Sequence, residues 1–228
     1  MSSRILVLVL LLPGLLFAGA CDGGGSGESG KKPDFDAARV LREAAQAMGG
    51  VRSVAFTMES EGKTPVVVKG GDLKLLRNGD ATGTLTVEQR GQSVEMKVVA
   101  LGQSIYLDAG TGGWRKVPKV LAATMYDPSA VLDPERGIVK LLSSATAPRA
   151  EAVEKVGGKE TDRVAATLPK EQAAALIPGV DTDLEGQVWV NRSDHRLVKL
   201  VGRFPKEKGS VVISFTEFDA SYTVSAPK

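Results

Sequence analysis

"TLTVEQRGQSVEMKVVAL", residues 84–101, decides the fold. Leu85 and Val87 fall on one face of its first half. Val94, Met96 and Val98 fall on one face of its second half, with Glu95 and Lys97 opposite. Alternation of period two belongs to a half-buried strand, not to a helix. Gly91-Gln92, between the two runs, reads as a hairpin turn. The stretch is therefore an antiparallel pair with one apolar face.

The same period extends outward on both sides. In "SVAFTMES", residues 53–60, Val54, Phe56 and Met58 alternate with Ser53, Thr57 and Glu59. Further strands fit residues 64–69, 72–78 and 103–108, which completes a meander with one apolar face. Strand patterns return at 149–157 and 161–168, and again in "GQVWVNR", "HRLVKLVGRF", "SVVISFTEF" and "YTVSA". Ser193-Asp194 is the turn signal between the first two of these four.

Three segments break the period. "DFDAARVLREAAQAM", residues 34–48, predicts a helix capped by Asp34 or Asp36 and ended by Gly49-Gly50. Its apolar stripe is Val40, Leu41, Ala44, Ala45 and Met48, small enough to pack closely on a sheet. In "YDPSAVLDPERGIVKLL", Asp133 with Pro134 predicts a helix start whose buried side is Ile138, Val139, Leu141 and Leu142, and Asp127-Pro128 a shorter one. "PKEQAAALI", residues 169–177, is a short helix beginning at Pro169.

The order is helix, long meander, helical insert, second meander. The class is α+β: a large curled antiparallel sheet with helices over its concave face. A sheet this long must twist and curl. The helices are short for filling the concavity, which leaves two packings open. Side chains fill the space as an ordinary core, or an apolar cavity of lipid size remains between sheet and helices. The residues that would line a cavity are Val54, Phe56, Met58, Leu85, Val87, Val94, Met96 and Val98. Methionine and β-branched side chains suit an adaptable apolar pocket.

The N-terminus carries a separate message. Arg4, the apolar run Ile5 to Phe17 and the small residues Ala18, Gly19 and Ala20 read as a targeting segment over residues 1–20. Cys21, the chain's one cysteine, follows directly. A single thiol forms no internal disulfide and no cysteine cluster for zinc. Ala18-Gly19-Ala20-Cys21 resembles a bacterial lipobox, although leucine is commoner three places before the cysteine. On that reading Cys21 carries a diacylglycerol and becomes the lipid anchor. The alternative is an ordinary secretory signal that leaves a free cysteine. Residues 21–32 then form a flexible glycine- and serine-rich tether, and residues 33–228 one domain.

Composition removes other classes. The formal charge is +2, with lysine and arginine scattered among acids, so there is no nucleic-acid footprint. The single histidine, His195, lies in "NRSDHR" between two strands and reads as a turn residue, with no serine motif to make it a catalytic base. Asp127 and Asp133 stand beside prolines, as caps do, rather than as an acid pair or metal ligands. Trp114 follows Gly112-Gly113 and suits loop or core packing better than a cavity mouth. Asn191-Arg192-Ser193 matches a glycosylation sequon, discounted beside a bacterial lipobox. No metal, cofactor or enzymatic activity is expected.

Several pieces together resemble the LppX/LprA/LprF/LprG family of mycobacterial and related actinobacterial lipoproteins. They are the lipobox and first helix, Gly71-Asp72-Leu73, Ala81-Thr82-Gly83, Tyr106, Trp114, Tyr126-Asp127-Pro128, Leu132-Asp133-Pro134, Gly137, Val188-Trp189-Val190 and Asp194-His195, in family order. The resemblance implies a half-open β-barrel backed by helices, similar to the LolA/LolB lipoprotein carriers. It implies binding of an acylated lipid or glycolipid, such as a triacylated glycolipid or triacylglycerol, in the central cavity. It further implies carriage across the cell envelope, in some members beside a membrane efflux transporter. The protein would be exported and held to the outer face of the cytoplasmic membrane through Cys21. A chaperone for other lipoproteins, or an interaction lipoprotein with a filled core, are the competing functions.

Overall fold

The computed structural model describes residues 33–122 and 128–228. The predicted targeting segment, Cys21, the tether, Tyr126 and Asp127 lie outside the described residues. The compact unit Lys32–Lys228 holds the whole of the core described below.

Helix α1 (Ala37–Gly49) opens the domain. Asp36 caps it, accepting a hydrogen bond from the Arg39 backbone N–H at 3.0 Å, and that bond holds the Asp36 carboxyl below the usual carboxylate range. Gly50 ends it, its N–H turned back to the carbonyls of Ala47 and Met48. The predicted stripe from Val40 to Met48 is buried throughout.

Six strands follow: β1 (Ser53–Glu61), β2 (Val68–Leu76), β3 (Ala81–Gln89), β4 (Gln92–Leu101), β5 (Ser104–Asp108) and β6 (Arg115–Pro118). The helical insert holds α2 (Lys119–Ala122), a 3-10 turn (Pro128–Ala130) and α3 (Ile138–Ser144). The second meander is β7 (Thr146–Val156), β8 (Lys159–Leu168), α4 (Lys170–Leu176), β9 (Leu184–Asn191), β10 (Leu197–Arg203) and β11 (Ser210–Phe218). All pairings are antiparallel, in the order β6-β5-β4-β3-β2-β1-β11-β10-β9-β8-β7. The first strand thus pairs with the last, and two meanders fuse into one sheet of 11 strands that does not close. Strands β6 and β7 are its free edges.

Four local readings change. The decisive hairpin turns at Arg90-Gly91, one residue earlier than its glycine suggested, because Gln89 pairs with Gln92. Both turn residues have positive φ, 52° and 78°, as a two-residue hairpin with the right twist demands. Of the expected strands 64–69 and 72–78, residues 64–67 form no strand and the rest falls within one strand, β2 (Val68–Leu76). Gly70-Gly71 does not break it, since both residues pair with β1 and β3. Asp133 caps a turn, not α3. Its carboxylate accepts from the Glu135 N–H at 2.8 Å and pairs with Arg136, and Gly137 is the N-cap of α3. "YTVSA" forms no strand, because β1 already occupies the free side of β11. Tyr222 instead donates its hydroxyl to Glu217 at 2.7 Å, and burial with that carboxylate pushes its pKa up to about 12.

The helices divide their work unevenly. Helices α1 and α3 pack on each other, α1 also lies on β7, β8 and β9, and α3 on β8. Helix α4 packs against α3 and the 3-10 turn. Only the short α2 reaches β5 and β6, and no helix packs substantially on β2, β3 or β4. Among the described residues α1 and α3 thus roof β7–β9, while the inner face of the first meander is buried at its Val54 end and only half-buried toward the Arg90-Gly91 turn. Among the described residues no helix is long and apolar enough to cross a membrane.

Candidate functional site

Strand register assembles the apolar residues of the inner face into transverse rows. The longest runs Ala150, Val164, Val188, Leu200, Ile213, Met58, Gly71, Leu85, Met96 from β7 to β4. Gly71 leaves a gap that Leu85 fills: a Cβ at 71 would lie 2.7 Å from Leu85 Cδ2. The next row is Phe215, Phe56, Leu73, Gly83, Val98, Leu107, Arg115. The one beyond it is Phe218, Val54, Leu75, Ala81, Ala100, Ile105, Val117. Gly83 is required by close approach, since a Cβ there would fall 2.0 Å from the Asp72 carbonyl oxygen.

All eight residues singled out in the sequence therefore meet on one surface. They form a gradient along the strands. Val54 is fully buried and Phe56 nearly so, while Met58 is half-buried. On β4, Val98 is buried and Met96 and Val94 are half-buried. Val87 and Val94 pair with each other at the outer end, and Val68 lies across from Val87. The deep end carries the 3-10 turn, whose Ser129 lies against Gly79 of the β2–β3 turn. The result is an apolar face, here called the trough, that is sealed at the Val54 end and half-buried toward the Arg90-Gly91 turn.

Residues the sequence reading missed include Leu73, Leu107, Ile213 and Phe215, which share these rows. Ile213 and Phe215 alternate visibly in "SVVISFTEF". Their place beside Met58 and Phe56 depends on the pairing of first and last strands, for which no local signal exists. Phe56 and Phe215 meet tilted at 45°, ring centroids 6.2 Å apart.

The polar candidates resolve into turn and surface roles. His195 sits in the β9–β10 turn with φ 56°, its Nδ1 3.5 Å from Glu43 of α1. Asn191 is buried, and its side chain is occupied by Asp194 and Ser193 within that turn, which takes the sequon asparagine out of reach. Trp114 is a half-buried loop residue just before β6. Asp162 is buried on the sheet beside α1, with Arg192 Nε at 3.3 Å, and burial pushes its carboxyl above the usual range. Among the described residues no group of three or more His, Cys, Asp or Glu side chains could hold a metal ion.

The open antiparallel sheet is matched by known proteins. The family model for the LppX_LprAFG lipoproteins matches residues 36–224. The chain belongs to this family. Among LppX_LprAFG relatives, the lipoarabinomannan carrier protein LprG of Mycolicibacterium smegmatis is 27% identical over 208 residues, 89% of this chain and 87% of its own length. LprG of Mycolicibacterium hassiacum is 28% identical over 199 residues, 84% of each chain. The crystal structure of LprF from Mycobacterium bovis is similar with a TM-score of 0.77 at 21% identity, over 86% of this chain and 99% of that one. LppX of Mycobacterium tuberculosis follows at 0.64 and 20% identity, over 82% and 97%. The relatives named for an activity are carriers, not enzymes.

Proposed function

We propose that this LppX_LprAFG lipoprotein binds an acylated lipid or glycolipid on the trough and carries it between membranes of the cell envelope. The observation that carries this reading is the outer part of the inner face of β1–β4, where burial gives out. Met58, Leu85, Val87, Val94 and Met96 present adjacent apolar side chains that stay half-buried, with no helix among the described residues packed substantially on β2, β3 or β4. Covering the part of these side chains still in water gains a fraction of the roughly 1.5–3 kcal/mol that full burial of each is worth, and acyl chains supply that cover. Polar cargo gains nothing there. The names of the LprG relatives support a glycolipid with acyl chains as the cargo class.

The domain plan follows from the same reading. Residues 1–20 are the lipoprotein signal, Cys21 bears the diacylglycerol, residues 22–32 are the tether and 33–228 the lipid-binding domain. Two acyl chains give the stable anchoring that one chain does not. The tether spans about 17–20 Å on average, which holds the domain near the outer face of the cytoplasmic membrane. A membrane transporter that exports the cargo is the natural partner, and the chain performs no catalysis.

The test is to express the full chain in an actinobacterium, extract it with organic solvent and analyse the extract by mass spectrometry. The expected result is a thioether-linked diacylglycerol on Cys21 together with non-covalent acylated lipid in stoichiometric amount. Leu85→Trp fills the trough beside Gly71 and removes the non-covalent lipid while the domain stays folded. An anchored but empty protein, or a folded Leu85→Trp variant with undiminished lipid, overturns the carrier reading. Acylated protein in place of glycolipid would make it a lipoprotein chaperone.

A further inference from the structure

Four large apolar side chains stand exposed among the described residues: Val67, Val120, Leu121 and Val153. Two of them are neighbours on α2, Val120 at 73% and Leu121 at 61% exposure. Helix α2 continues directly from β6, the free edge of the first meander. Strand β6 brings cations to the same place. Arg115 and Lys116 are exposed, Lys119 is half-buried, and residues 109–122 contain three cations and no acid. Trp114 stands half-buried immediately before them. Arg115 lies across from Leu107, so the apolar row through Phe56 and Val98 ends at this edge in a guanidinium. Lys116 lies across from Tyr106, its Nζ 5.8 Å from the ring centroid.

Exposed aliphatic side chains beside cations and an indole have one well-matched counterpart. At the surface of a bilayer, aliphatic groups enter the acyl boundary, an indole sits at headgroup level, and cations meet anionic headgroups. We infer that residues 114–121 form a docking surface for an anionic lipid bilayer. Val120 and Leu121 insert, and Arg115 and Lys116 rest on the headgroups. Docking there sets β6, a free edge of the sheet, on the bilayer. The inference goes beyond the cargo reading and does not need it, because the docking residues lie outside the eight of the trough.

The experiment uses the full chain with Cys21→Ser, which prevents lipidation, and an environment-sensitive fluorophore on a single introduced cysteine. One variant is Val120→Cys. The other is Val153→Cys, on β7 at the opposite free edge and also exposed. Both are mixed with phosphatidylcholine vesicles with and without phosphatidylglycerol. The probe at 120 is expected to brighten and shift to the blue on anionic vesicles, and the probe at 153 to stay unchanged. Arg115→Glu with Lys116→Glu is expected to weaken the apparent vesicle affinity at least about thirtyfold, since two cations contribute about 1 kcal/mol each at such a surface. Leu85→Trp leaves the response at 120 in place, so an empty trough and a failed docking surface are told apart. A silent probe at 120, as a protein partner would give, overturns the inference. So does an equal response at 153, an equal response without phosphatidylglycerol, or an affinity untouched by charge reversal.

Discussion

Val188 and Leu85 stand in the same transverse row of one sheet, yet they live in different solvents. Val164, Val188 and Leu200 are at most 3% exposed, with α1 lying on β8 and β9, while Met58, Leu85 and Met96 in the same row are only half-buried. The strands themselves do not account for this, since both halves alternate apolar and polar residues. The difference comes from what is laid over them. Helix α1 enters before β1 but packs beyond the seam, on β7–β9, and α3 joins it there. Strands β8–β10 form a conventional core, and the first meander does so only at its Val54 end, leaving the rest half-buried.

The sharpest way to break this comparison is to truncate one side chain on each side. Leu200→Ala should cost about 3 kcal/mol by denaturant unfolding, the usual range for a sealed leucine. Leu85→Ala should cost less than half as much, because its site is already partly wet. Equal losses would mean that the trough is as tightly packed as the roofed half. Crowding the first meander comes next. Gly83→Val places a side chain onto the Asp72 carbonyl, and about 2 kcal/mol should be lost as β2 and β3 move apart, read as a lower thermal midpoint. An unchanged midpoint would show that this half yields freely.

A smaller effect is expected where the roof is fastened. Asp36→Ala removes the α1 cap and should lower the unfolding midpoint slightly, with hydrogen exchange rising first in the N-terminal turn of α1. Protection unchanged there would mean that packing alone holds the turn.

The smallest effect lies at the seam between the halves. Asp219 accepts from the Arg52 N–H at 2.8 Å and pairs with Arg196, contacts that hold its carboxyl below the usual range. A depressed folded-state pKa contributes stability above the unfolded value of about 4 and loses it as pH falls through the folded value. The wild type should therefore exceed Asp219→Asn in stability at neutral pH, and the gap should close on acidification. A gap constant with pH would assign the effect to shape instead of charge.

Much of this was legible in the residues. The alternation in 84–101 and 53–60 named a single apolar face, and all eight residues chosen from it do share one surface. Helix α1 was legible because cap, stripe and terminal glycines agreed. The errors fell where a local signal has two readings. Asp133-Pro134 suits a turn as well as a helix start, and Gly70-Gly71 suits a strand under close approach as well as a turn. "YTVSA" alternates like a strand, but the edge it would have joined is occupied by β1.

By itself, then, the sequence determined which residues are strand and helix and which side of each strand is apolar, because those properties depend on neighbours two to four positions away. It also carried the family's motifs. Only the tertiary structure decided that β1 joins β11 and that the helices roof β7–β9 and leave the outer part of the first meander half-buried. Those are choices between distant surfaces of similar apolarity, settled by the packing of the whole chain and not by any segment within it.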